Sequence, residues 1–111
     1  MLRLYRTRSV IRNAAEETVE IDRELLNKAR RNPTDLRFEE VLKLASQLGF
    51  AKPRIRGSHH VMTHPKGTMV RDVYPRPLNL QKRSDGKAKA YEIRQMLQMA
   101  EAMGIIATEE R

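Results

Sequence analysis

The sequence predicts an α+β domain in which two helices lie on one face of a three-stranded antiparallel sheet, in the order α-β-β-β-α, behind an N-terminal helical extension. Three observations lead there. Apolar residues recur at helical spacing in two stretches, one running up to Gly49 and one from about Lys89 to Met103. Between them, from Ala51 to Tyr74, the spacing shortens to that of strands and is broken by turn residues. A length of 111 residues with 40% apolar and 32% charged residues supports one domain with one modest core.

The extension is assigned to residues 1–32. Ala14, Thr18, Ile21, Leu25 and Ala29 fall at helical spacing, which predicts a helix from about Asn13 to Arg31 with a narrow apolar stripe. Its basic end, Lys28-Ala29-Arg30-Arg31, suits the negative pole of a helix, and Asn32-Pro33 stops it. Such a helix packs on the domain or on another chain.

The domain proper, residues 33–107, opens after Pro33-Thr34-Asp35, where Thr34 or Asp35 can accept from the free amides of a first helical turn. Phe38, Val41, Leu42, Ala45 and Leu48 form the buried face of this helix, and Gly49 closes it with Phe50 folding back as the apolar partner of the cap. Strands are predicted at Pro53–Arg56, His59–His64 and, after a Pro65-Lys66-Gly67 turn, Met69–Tyr74. Pro75 and Pro77 end the third strand because proline cannot donate to a ladder, and Asn79–Lys87 reads as a loop turning at Ser84-Asp85-Gly86. The closing helix presents Ile93, Met96, Leu97, Ala100 and Met103, with Gly104 at its end and a short tail at 108–111. Together these elements have the layer plan of a double-stranded-RNA-binding domain.

Composition removes several classes of chemistry. Without cysteine the chain has no disulfide framework, no thiolate nucleophile and no sulfur-ligated zinc. No apolar run is long enough to span a membrane, and the arginines scattered through the first twelve residues leave no apolar block for a signal peptide, so a cytoplasmic protein is expected. There is no glycine-rich phosphate loop, no paired-carboxylate arrangement and no Ser-His-Asp pattern.

Charge is concentrated rather than spread. Residues 51–90 carry ten cations against Asp72 and Asp85, a balance of +8 that equals the net charge of the whole chain. A patch of this kind favours a polyanion, because each neutralised phosphate releases counterions. All three histidines, His59, His60 and His64, lie inside this segment, so groups that titrate near neutral pH stand among cations that hold phosphates. That pairing points to RNA.

In a strand, His59, Val61 and Thr63 face one way and His60, Met62 and His64 the other. Periodicity alone leaves open which face is free of the helices. Were Val61 turned to the helices, His59 would have to reach solvent from a frayed strand entry, with Gly57 permitting the bend. His64, beside Pro65, reads as a strand-end residue. His60 and His64 share a face but stand about 13 Å apart along the backbone, too far for a common ion, and no metal site is expected. Met62, Met69, Met96, Met99 and Met103 read as core and interface filler.

The series Asn32-Pro33, Leu36-Arg37-Phe38, Leu48-Gly49-Phe50, Gly57-Ser58-His59-His60, His64-Pro65, Leu78-Asn79-Leu80-Gln81, Gly86-Lys87-Ala88-Lys89-Ala90-Tyr91 and Arg94-Gln95 resembles the HicA toxins of bacterial toxin–antitoxin systems, over roughly residues 32–106. The resemblance implies a small basic ribonuclease, an mRNA interferase, with a fold like that of double-stranded-RNA-binding domains, inhibited by a HicB-type antitoxin. The family's histidine in the Gly-Ser-His element maps onto His59; His60 is the second choice. Tyr74-Pro75-Arg76-Pro77 departs from the family's Pro-Arg-His type segment and lacks that histidine.

RNA carries its own nucleophile, the 2′-hydroxyl, so one base and a few cations suffice for cleavage. On this reading His59 takes the 2′-hydroxyl proton without metal or cofactor, and Arg54, Arg56, Lys66 and Arg76 contact the RNA. Ser58 has two readings, donor to a phosphate or turn residue. The partners expected are mRNA and an antitoxin that covers the basic face and His59. The alternative is a non-catalytic RNA-binding module of the same fold.

Overall fold

Helix α2 (Phe38–Gln47) buries Phe38, Val41, Leu44 and Ala45 along one side, in the hydrophobic core. The computed structural model describes residues 10–12, 18–66 and 77–108. Leu44, not Leu42, completes the buried stripe of α2; Leu42 is only partly covered. The helix is capped from within, since the Arg37 N–H donates to Glu40 Oε1 at 3.0 Å. Neither Thr34 nor Asp35 caps it, contrary to the sequence expectation. Pro33–Asp35 forms a single 3-10 turn, the Thr34 hydroxyl donates to Asn32 Oδ1 at 3.1 Å, and Lys87 Nζ donates to Asp35 Oδ1 at 2.7 Å. The Lys87 ammonium holds the Asp35 carboxyl below its usual pKa. At the other end Gly49 takes φ 97°, a conformation open to glycine, and the Phe50 N–H donates back to the Ala45 carbonyl at 3.1 Å. Phe50 is buried, as the sequence indicated.

The N-terminal segment departs from the single helix expected over residues 13–31. Strands β1 (Val10–Arg12) and β2 (Thr18–Glu20) pair antiparallel, and helix α1 runs only from Arg23 to Arg31. The reason is local. Thr18-Val19 is β-branched and favours extended backbone, while the Asp22 side chain accepts from the Leu25 N–H at 3.1 Å and so starts the helix at its own position. Ala14 lies outside the described residues. Ile21, Leu25 and Ala29 are buried as their spacing implied, joined by Leu26.

Helix α1 is tied to the rest of the domain. Its buried side chains belong to the same cluster as those of α2 and the closing helix α3 (Ala90–Ala102). The Asp22 N–H donates to Gln47 Oε1 at 2.8 Å, and Arg30 donates to the Ala107 carbonyl and pairs with Glu101 at 3.5 Å. Ile93, Met96, Leu97, Met99 and Ala100 are the buried residues that α3 adds to the core.

A second sheet of three antiparallel strands carries Arg54–Arg56 (β3), His59–Met62 (β4) and Leu78–Gln81 (β5) in the order β3-β4-β5. The fold is thus α+β, with an antiparallel three-stranded sheet between α2 and α3 in chain order, consistent with the α-β-β-β-α plan of double-stranded-RNA-binding domains. Among the described residues its third strand is β5, which from Asn79 onward lies in the stretch Asn79–Lys87 read from sequence as loop. Leu78 and Leu80 are buried and Asn79 is exposed, a strand alternation of only four residues. The turn residues that follow it mask so short a signal, although Ser84-Asp85-Gly86 does turn. The expected strand Met69–Tyr74 and the Gly67 end of its turn lie outside the described residues.

Candidate active site

The register of the sheet fixes which side chains share a face. Ile55, His60 and Leu80 stand opposite one another across the three strands, and Met62 stands opposite Leu78. Met62, Leu78 and Leu80 are buried, so this face turns to the helices, although on the edge strand β3 Ile55 remains 64% exposed. The other face therefore carries Arg56, His59 and Gln81 in one row and Arg54, Val61 and Asn79 in the next. Val61 shares the outer face with His59, and His59 needs no frayed strand entry to be exposed.

The two neighbouring histidines have opposite environments. His60 is half-buried with its ring edge-on to Phe38, centroids 4.8 Å apart at 74°, and its Nδ1 makes no hydrogen bond among the described residues. His59 is exposed, and its Nδ1 lies 3.1 Å from Asn79 Oδ1. An amide oxygen only accepts, so this contact is a hydrogen bond when Nδ1 carries the proton, which leaves the lone pair on Nε2. The Gln81 amide nitrogen stands 3.5 Å from that Nε2 and donates to Ser58 Oγ at 3.3 Å. Lys89 Nζ in turn donates to Gln81 Oε1 at 3.0 Å.

Strand β5 is held in register with α3 by Glu92, a carboxylate only 3% exposed that accepts the Gln81 backbone N–H at 2.9 Å and the Tyr91 hydroxyl at 3.5 Å. The β3–β4 hairpin is closed by Gly57-Ser58, with Gly57 at φ 61°, the left-handed conformation a two-residue hairpin requires. Ser58 is therefore a turn residue, and its hydroxyl accepts from the Gln81 amide.

Arg54 and Arg56 flank His59 on the outer face, and neither has a carboxylate partner among the described residues. Other cations of the basic segment are already paired: Lys82 with Glu39 at 3.8 Å, Arg83 with Asp85 at 2.6 Å and Lys87 with Asp35 at 2.7 Å. The unpaired positive charge of the described sheet is thus concentrated beside His59. Lys66 stands apart, in the turn beyond β4 at the opposite end from the hairpin. Arg76 lies outside the described residues.

His64 has a structural place. Its Nε2 donates to the Leu48 carbonyl at 2.9 Å, its Nδ1 accepts the Lys66 N–H at 3.1 Å, and its ring meets Phe50 edge-on at 4.9 Å. Burial pushes its pKa below the usual 6.5, opposed by the Leu48 bond and aided by the Lys66 charge. The rings of His60 and His64 thus both pack edge-on against phenylalanines, Phe38 and Phe50. Among the described residues no group of three or more histidine, aspartate or glutamate side chains is placed to hold a metal, and no helix is long and apolar enough to cross a membrane.

Asn79, Gln81, Lys89 and Glu92 received no role from the sequence. The alternation Leu78-Asn79-Leu80-Gln81 was the signal available, since it puts both amides on one strand face.

Residues 38–77 match the family model described as the HicA toxin of bacterial toxin-antitoxin systems. No curated protein and no solved structure matches the chain. The matched segment spans α2, β3 and β4 and includes the Gly57-Ser58-His59-His60 element; Asn79, Gln81 and Lys89 lie beyond it.

Proposed function

We propose that this chain, which resembles the HicA toxins over residues 38–77, is a toxin of that type and an endoribonuclease that cleaves mRNA with His59 as general base. The observation that carries the reading is the state of His59: exposed, its Nδ1 held by Asn79, its Nε2 lone pair on the outer face beside Arg56. The sequence resemblance selected the same histidine without this geometry.

In the reaction, His59 Nε2 takes the proton of a ribose 2′-hydroxyl. The 2′-oxygen forms a bond to the adjacent phosphorus as the phosphorus–5′-oxygen bond breaks, and the departing 5′-oxygen takes its proton from water. The products are a 2′,3′-cyclic phosphate and a free 5′-hydroxyl. A positioned base contributes about 10²–10⁴-fold, and fixed cations stabilise the charge that builds on the phosphoryl oxygens. Arg54 and Arg56, on the outer face with His59, would supply these cations; Ser58 lies at the same end of the sheet, Lys66 would extend the RNA contact beyond the other end of β4, and Arg76 is a further proposed contact. Because nucleophile, base and cations come from substrate and protein, cleavage is expected in the presence of a chelator.

An antitoxin of HicB type would occupy the same outer face, neutralising Arg54 and Arg56 and covering His59, in a cytoplasmic complex. The division proposed here is an extension over residues 1–32, an RNase domain over residues 33–107 and a tail at 108–111. The unpaired Arg54 and Arg56 equally favour a second reading, an RNA-binding module without turnover. Incubating the purified chain with end-labelled mRNA in EDTA separates them. Fragments ending in cyclic phosphate support the nuclease; binding with intact RNA supports the module.

A further inference from the structure

Lys89 is the one member of the His59 network that can only donate. Its ammonium has three N–H groups and no lone pair, and it lies 3.0 Å from one end of the Gln81 amide. That end must be the oxygen. The amide nitrogen is then fixed at the other end, 3.3 Å from Ser58 Oγ and 3.5 Å from His59 Nε2. Two N–H groups cannot face each other productively, so His59 Nε2 must be the unprotonated nitrogen. The proton goes to Nδ1, where Asn79 Oδ1 accepts it at 3.1 Å.

We propose that Lys89, acting through Gln81, is a positioning residue that holds His59 in the Nδ1–H tautomer, with the lone pair on Nε2, the nitrogen that Gln81 gives up to a substrate hydroxyl while it keeps its bond to Ser58 Oγ. The inference rests on the reading of His59 as the base and adds the reason that its lone pair is at the reactive nitrogen. Imidazole free in water prefers the opposite tautomer, with the proton on Nε2. An Asn79 contact alone does not prevent this, because a side-chain amide can turn and present its NH₂ group instead. The donor-only lysine removes that freedom from Gln81, and Gln81 removes it from the ring. Backbone anchoring reinforces the arrangement: the Gln81 N–H is held by Glu92 at 2.9 Å, so the amide is supported at both ends of its residue.

Long-range nitrogen–proton correlation spectra of nitrogen-labelled protein, recorded where His59 is neutral, read the tautomer directly and without RNA. Wild-type His59 is expected to show the Nδ1–H pattern. Lys89→Met is expected to shift it toward Nε2–H, Lys89→Arg to retain the wild-type pattern, because guanidinium is also donor-only, and Gln81→Glu to move the proton onto Nε2 by presenting only acceptors. Where RNA is cleaved, Lys89→Met should lower kcat about tenfold or more, a part of what a positioned base supplies, and Lys89→Arg should restore it. An Nε2–H pattern in the wild type, or an Nδ1–H pattern that survives both Lys89→Met and Gln81→Glu, overturns the proposal. Absence of cleavage by wild-type protein would instead refute the nuclease reading, with the spectra still deciding whether Lys89 sets the tautomer.

Discussion

Arg56 stands directly opposite His59 in the β3–β4 ladder, so the guanidinium and the imidazole leave the same face of the sheet from neighbouring strands. Directly opposed residues have Cβ atoms about 5 Å apart. A phosphate held by Arg56 would thereby be kept within reach of the His59 ring, and Arg54, one alternation along on the same face, would meet the next part of the RNA backbone.

If both arginines contact phosphates, Arg54→Ala with Arg56→Ala should weaken binding of single-stranded RNA and reduce the slope of log K against log salt by about 1.4, at about 0.7 per phosphate. Binding titrations at several salt concentrations measure this. An unchanged slope would remove the two arginines from the RNA interface.

His64 makes the stability of the fold pH-dependent. Burial favours its neutral form, in which Nδ1 accepts from Lys66 and Nε2 donates to Leu48. Its pKa is below 6.5 in the folded protein and near 6.5 in the unfolded chain, so on acidification the unfolded chain binds the proton first. Stability from this residue is complete above the unfolded value and is lost as pH falls from about 6.5 through the lowered value. Denaturant melts across that window should show the loss in wild type and a flatter profile in His64→Gln. Equal profiles would mean that the His64 contacts do not distinguish the two protonation states.

Gly57 is strained for any residue with a side chain, although the space around it is open: at φ 61° a Cβ would meet nothing within 4 Å. The cost of Gly57→Val is therefore backbone cost, about 1–2 kcal/mol for an L-residue in the left-handed region, with Gly57→Asn milder because asparagine tolerates that region. Thermal or chemical denaturation tests the ranking. Equal stability of all three would show that the hairpin relaxes to another turn.

Leu26 lies on α1 yet is only 1% exposed and belongs to the main core. Leu26→Ala should cost about 2–5 kcal/mol, as buried leucines do. A change within about 0.5 kcal/mol, the range of surface substitutions, would show that α1 is dispensable to the domain.

What the sequence revealed depended on the length of each signal. Helices α2 and α3 repeat their apolar spacing over several turns, and the Gly49 cap with Phe50 folding back is a local code, so both were readable. Strand β5 offers only two apolar residues, and β2 merges in spacing with the helix that follows it; at such lengths strand and helix periods cannot be told apart. His59 and His60 differ by one position, which decides everything about their surroundings and nothing about their local sequence. The register against Leu78 and Leu80 assigns their faces, and that pairing is long-range. The Lys89–Gln81–His59 chain was hidden for the same reason, since it joins residues 22 and 8 positions apart.

The central claim is that His59, and not His60, is the base. Cleavage and binding of one labelled mRNA should be measured side by side for wild type, His59→Ala and His60→Ala in EDTA. His59→Ala is expected to bind RNA and fail to cut it, while His60→Ala, which loses only the ring packed on Phe38, still yields cyclic-phosphate ends under conditions where it is folded. Wild-type cleavage rates in His59→Ala, or loss of cleavage in folded His60→Ala alone, would contradict the assignment.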